Sequence, residues 1–97
     1  MERIIISEES KVDFRRGIRL RFDKVREKWL LMAPEYVLTP DGVALDILKK
    51  IDGDRSVAMI IDELAREYEG SPEEITTDIL EFLQAISDRG YLERIGQ

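Results

Sequence analysis

The sequence predicts an α+β fold in which a three-stranded antiparallel sheet is followed by three helices, and three observations lead there. Residues 18–23 alternate apolar and charged without an exception, and two more short apolar runs follow before residue 39. Beyond that point the apolar residues recur at helical spacing. Serine, threonine, proline and glycine stand where helices would start and stop.

Met1 to Phe14 has no sustained period, and Ser7-Glu8-Glu9-Ser10-Lys11 reads as a mobile arm, which leaves residues 15–97 as the folded domain. Ile4 to Ile6 could add a strand at an edge or to a neighbouring molecule. In Ile18-Arg19-Leu20-Arg21-Phe22-Asp23 the apolar residues point to the core and the charged ones away from it. Trp29-Leu30-Leu31-Met32 is apolar on both faces, as a central strand is. Ala33-Pro34 ends it, because proline cannot donate to a ladder. Tyr36-Val37-Leu38 is a very short third strand and, with a proline at its entrance, fits an edge.

Thr39-Pro40 predicts a helix start, with threonine as the N-cap and proline at the first helical position. Val43, Ala44, Ile47, Leu48 and Ile51 supply the helical spacing, and Asp52-Gly53-Asp54 closes the helix. Ser56 caps a second helix with Val57, Ile60, Ile61, Leu64, Ala65 and Tyr68 as its buried stripe, ending at Gly70. Ser71-Pro72-Glu73-Glu74 predicts a third start, in which Glu74 completes a capping box, and that helix runs to about Arg89 before Gly90. Tyr91 to Ile95 is a short extended piece. Helices of this size beside a small sheet are compatible with a winged-helix-like domain.

Composition narrows the chemistry. The chain has no cysteine and no histidine, so disulfides, thiolate sites, the commonest general base and the commonest metal ligand are all absent. No catalytic residue, metal site or cofactor is expected. The apolar runs are too short to span a membrane and the start of the chain lacks a signal-peptide core, so a cytoplasmic location is expected. Charge is divided. Residues 11–28 hold eight basic and three acidic side chains, while residues 33–97 hold six basic and fifteen acidic ones.

The third helix carries more apolar surface than a surface helix needs. Ile75, Ile79, Leu83 and Ile86 make an ordinary core stripe, which Phe82 and Ala85 widen on one flank and Leu80 on the other. The apolar arc reaches roughly 220°. The surplus is either wedged between sheet and helices or left for a partner. A winged-helix DNA-binding domain would put this helix into the major groove, but residues 72–89 carry five acidic side chains against Arg89 alone. Nucleic acid is therefore not expected as a partner, and a purely structural interaction domain is the other alternative.

Arg16-Gly17-Ile18-Arg19-Leu20-Arg21-Phe22-Asp23, Leu30-Leu31-Met32-Ala33-Pro34-Glu35, Ala44-Leu45-Asp46-Ile47-Leu48 and Asp52-Gly53-Asp54-Arg55-Ser56-Val57 closely resemble the PqqD family of pyrroloquinoline quinone (PQQ) biosynthesis. Asp78-Ile79-Leu80-Glu81-Phe82-Leu83 and Arg89-Gly90-Tyr91-Leu92 continue the likeness, which covers about residues 15–93. One departure is Met59, where relatives often have an acidic residue. The resemblance implies a winged-helix peptide chaperone with no activity of its own, a recognition element for ribosomally made and modified peptides. Such a protein binds the precursor peptide PqqA and presents it to the radical-SAM enzyme PqqE, which crosslinks a Glu and a Tyr of that peptide. Related domains hold the peptide as a strand added to the third strand, with its side chains on the third helix.

On this reading Tyr36, Val37 and Leu38 offer the edge, Ile75, Ile79 and Phe82 line the wall, and Asp78 faces a basic residue of the peptide. Ile79 and Leu38 also have a purely structural reading, so Val37 and Asp78 discriminate better. Arg19 and Arg21 are the expected docking face for the partner enzyme, and a monomer and a homodimer are both compatible with the sequence.

Overall fold

In the computed structural model, which describes residues 3–95, the chain runs β1 (Lys11–Phe14), β2 (Arg19–Asp23), β3 (Lys28–Met32), β4 (Val37–Leu38), α1 (Gly42–Lys49), α2 (Val57–Glu67), α3 (Pro72–Asp88) and β5 (Leu92–Ile95). The strands make an antiparallel three-stranded sheet in the order β2-β3-β4 and a separate two-stranded sheet of β1 and β5. The α+β class, with three strands beside three helices, is as the sequence predicts.

The alternation of β2 is realised in a hairpin whose register pairs Leu20 with Leu31 and Arg21 with Leu30. The Asp23 carboxylate accepts the N–H groups of Val25 (2.9 Å) and Arg26 (3.3 Å) and so closes the turn. β3 is central, with Leu30 and Leu31 buried on its opposite faces. Phe22, expected to point into the core, is 43% exposed. At the hairpin end of β2 its ring meets its cross-strand partner Trp29, 5.6 Å away centroid to centroid.

The expectation for residues 1–14 differs from the structure over most of the described part. Lys11–Phe14 is β1, paired with β5 from the other end of the chain, and Ile6, Ser10 and Val12 are buried. No period marks this segment because only one residue of its short strand, Val12, is fully enclosed. Backbone bonds from Val57 N–H to Ser10 O (2.8 Å) and from Ala58 N–H to Glu8 O (2.8 Å) tie it to the start of α2. Gly53 N–H reaches Val12 O (3.1 Å) at a φ of +79°, where an added Cβ would stand 2.8 Å from an Asp13 carboxylate oxygen. The left-handed backbone and the crowding by Asp13 both favour glycine there. Nearer the start, the Gln84 amide donates to Ile4 O (2.8 Å) and accepts from Ile6 N–H (2.8 Å), matching a backbone edge with a side chain. Arg3 adds a bidentate pair with Asp88 (2.9 and 2.8 Å).

Two helix starts also differ from expectation. α1 begins at Gly42 with Asp41 as N-cap, two residues after Pro40. Asp41 is extended and Gly42 has a φ of +59°, a combination that cannot continue a right-handed turn back to Thr39. α3 starts at Pro72 after Ser71, but no capping box forms. The Ser71 hydroxyl is hydrogen-bonded to the Glu73 carboxylate (3.2 Å) and caps no N–H. α2 behaves as predicted, the Ser56 hydroxyl accepting the Met59 N–H at 3.2 Å. Its stripe of Val57, Ile60, Ile61 and Leu64 is buried against the Ile79, Leu83 and Ile86 stripe of α3 in one core. Each such side chain contributes about 1.5–3 kcal/mol on burial.

Candidate functional site

β4 is the outer strand of its sheet, and among the described residues no strand pairs with its far side. The Ala33 N–H donates to Tyr36 O (3.0 Å), which makes Tyr36 a residue whose backbone turns toward β3. Backbone direction alternates along an antiparallel strand, so Leu38, opposite Leu31, also bonds inward while the N–H and C=O of Val37 point outward. Side chains alternate too. Leu38 is half-buried on the helix side, whereas Val37 is 49% exposed. The entrance to the strand is anchored: the Tyr91 hydroxyl donates to that of Tyr36, and the two rings lie 6.2 Å apart. Burial, followed by the bond to Tyr36, pushes the Tyr91 phenol above its ordinary pKa.

Beside Leu38 lies a cleft of about 490 Å³ between the sheet, α1 and α3. Leu31, Leu38, Ala44, Phe82 and Ile86 line it with apolar surface, and Arg89 stands in its wall as the only charged residue. A second recess of about 210 Å³ lies along the first half of α3, where Ile75, Asp78 and Ile79 face Val43 and Tyr68. Val43 and Ala44 are consecutive, so the first turn of α1 stands between the two hollows.

The residues singled out from sequence therefore fall into three places. Tyr36 and Val37 are on the open edge, Leu38 and Phe82 share the larger cleft, and Ile75, Asp78 and Ile79 line the recess. Ile79 is 2% exposed and belongs mainly to the core. The two flanks of α3 are used differently. Phe82 and Ala85 open onto the cleft, while on the opposite flank Gln84 holds the segment around Ile4 and Ile6. Thr39, Pro40, Ala44 and Arg89 also line the cleft and were not singled out from sequence. Thr39-Pro40, whose signature predicts a helix start, lies before the Asp41 cap and lines the cleft instead. Arg19 and Arg21 lie on β2, at the other edge of the sheet. Among the described residues no group of three or more potential metal-ligating side chains occurs.

Fold and cleft define a small α+β domain with an open sheet edge beside a half-apolar helix. Residues 28–92 match the family model for coenzyme PQQ synthesis protein D (PqqD). A "PqqA binding protein" of Rhodopseudomonas palustris (strain BisB5) is 46% identical over 89 residues, covering 92% of this chain and 87% of that protein. Another, from Xanthomonas euvesicatoria, is 36% identical over 87 residues, covering 90% and 95%. Among solved structures, the solution structure of the PqqD truncation of Methylobacterium extorquens PqqCD superposes with a TM-score of 0.76 at 38% identity, covering 97% of this chain and all of that one. That protein is described as a functional, stand-alone recognition element for ribosomally synthesised and post-translationally modified peptides. Crystalline PqqD from Xanthomonas campestris gives 0.53 at 36% identity, covering 88% and 94%. This chain belongs to the PqqD family.

Proposed function

We propose that this chain is a peptide chaperone of PQQ biosynthesis, binding the precursor peptide PqqA and presenting it to the radical-SAM enzyme PqqE in the cytoplasm, without turnover of its own. The observation that carries the reading is the unpaired edge of β4 next to an apolar cleft. A guest strand would bond to the outward N–H and C=O of Val37, with Tyr36 and Leu38 on either side. Alternate side chains of the guest would then turn toward Phe82 in the cleft and toward Ile75 and Ile79 in the recess. Asp78 would pair with a basic guest residue. The relatives named as PqqA binding proteins support the choice of guest. The basic residues Arg19 and Arg21 on β2 would take the enzyme, leaving the guest's edge free.

The test is titration of the precursor peptide by calorimetry. Val37→Pro removes the outward N–H from an exposed edge position, where proline is tolerated. Binding is expected to weaken by about five- to tenfold while the unfolding midpoint stays put, since one backbone bond and its geometry are worth about 1–1.5 kcal/mol. Unchanged affinity in the variant would place the guest elsewhere.

A further inference from the structure

The sheet has a second open edge. Among the described residues no strand pairs with the outer side of β2. A cleft of about 650 Å³ runs along it, with Leu20, Phe14, Leu48 and Ile51 as an apolar floor and Arg19, Arg21 and Lys49 as its charged residues. No carboxylate lines this cleft, and none of the three cations is in an ion pair among the described residues. The Lys49 ammonium instead sits 4.7 Å from the centre of the Trp29 ring, which also lines the cleft.

Backbone direction is fixed here too. Because Leu31 bonds toward β4, Leu30 and Met32 bond toward β2, where they face Arg21 and Arg19. Leu20 and Phe22 therefore direct their N–H and C=O groups outward along the cleft. Side chains on β2 alternate, with Arg19 and Arg21 on one face of the sheet and Leu20 on the other. A strand added at this edge would place every second side chain beside the two guanidiniums and the rest over the apolar floor.

We infer that the β2 edge is a second strand-addition site, whose occupant is an extended acidic segment of a protein partner with alternating carboxylate and apolar side chains. Outward N–H and C=O groups at Leu20 and Phe22 are both matched by another polypeptide strand, whereas a phosphate backbone only accepts and would leave the C=O groups unmatched. The whole chain carries a net charge of −6, which repels a long polyanion, while the local cations attract a short acidic strand. The inference deepens the docking part of the proposed function and rests on that reading only for the partner's identity.

The probe is a synthetic peptide of alternating glutamate and valine, about eight residues long, enough to span one short strand. Trp29 is the sole tryptophan, so its fluorescence reports on the cleft directly. The peptide is expected to perturb Trp29 and to slow amide exchange at Leu20 and Phe22. Binding should weaken by about tenfold in the exposed double variant Arg19→Glu/Arg21→Glu, and should survive Val37→Pro. The inference is overturned if a lysine–valine peptide binds as well, if the charge-reversed variant retains affinity, if Leu20 and Phe22 stay unprotected, or if oligothymidylate is preferred at the same residues. Retained binding of the precursor peptide by Arg19→Glu/Arg21→Glu would show that the β4 site stands whatever happens at β2.

Discussion

Asp52, between α1 and α2, shows how much one side chain can fix. Its carboxylate accepts the N–H groups of Arg55 (2.8 Å) and Asp54 (2.9 Å), and the Arg55 guanidinium closes on it at 3.0 Å. The backbone bond from Arg55, then that from Asp54, holds the Asp52 pKa below its ordinary value. A depressed carboxylate contributes stability that is fully present above its unfolded pKa and is lost as pH falls through the folded one. The urea midpoint should therefore fall below about pH 4, and Asp52→Asn, which keeps an oxygen acceptor but cannot titrate, should flatten that fall. Parallel acid profiles for the two proteins would remove Asp52 from the account. This turn was visible in sequence as Asp52-Gly53-Asp54, a helix stop. The close approach of Gly53 to Asp13 was not visible, because it depends on β1 arriving from a distant part of the chain. Val37 is the converse case. Its place on an edge was legible from Pro34 and the shortness of the strand, and the structure adds which of its groups point outward.

At the scale of elements, capping separates two helices that look alike in sequence. Ser56 and Ser71 both precede a helix, yet only the Ser56 hydroxyl accepts a backbone N–H. Ser56→Ala should cost about 1 kcal/mol in chemical denaturation, and Ser71→Ala only a few tenths. Equal losses would mean that Ser71 caps α3 in solution. Local signals could not distinguish them, since the outcome turns on whether a neighbouring carboxylate, here Glu73, captures the hydroxyl. The strands divide in the same way. The alternation of β2 and the apolar run of β3 encode a hairpin whose partners are adjacent in sequence. β1 and β5 encode little, being short strands from opposite ends of the chain. The excess apolar arc of α3 was legible as a quantity. That its Phe82 flank opens onto a cleft, while polar Gln84 on the opposite side binds the N-terminal segment, depends on the packed structure.

Across the whole molecule, the three-stranded sheet has one end at β4 and the other at β2. β4 borders an apolar cleft whose only charged residue is Arg89, whereas β2 borders a cleft rimmed by Arg19, Arg21 and Lys49. Under the proposed function the guest would take the β4 edge and the enzyme the β2 edge. The basic excess of residues 11–28 foreshadows the cations of the β2 cleft, whereas the acidic excess beyond residue 33 contributes nothing to the lining of the β4 cleft. Sequence alone does not bring Lys49, from α1, into the same cleft as Arg19 and Arg21. In the proposed function the guest adds to β4 and lies along α3. The most direct measurement is amide-shift mapping of this chain titrated with the precursor peptide. The largest shifts are expected at residues 36–38 and along α3 at Ile75, Asp78 and Phe82, with Leu20 and Phe22 unmoved. Shifts confined to β2, or an unperturbed β4, would contradict that placement.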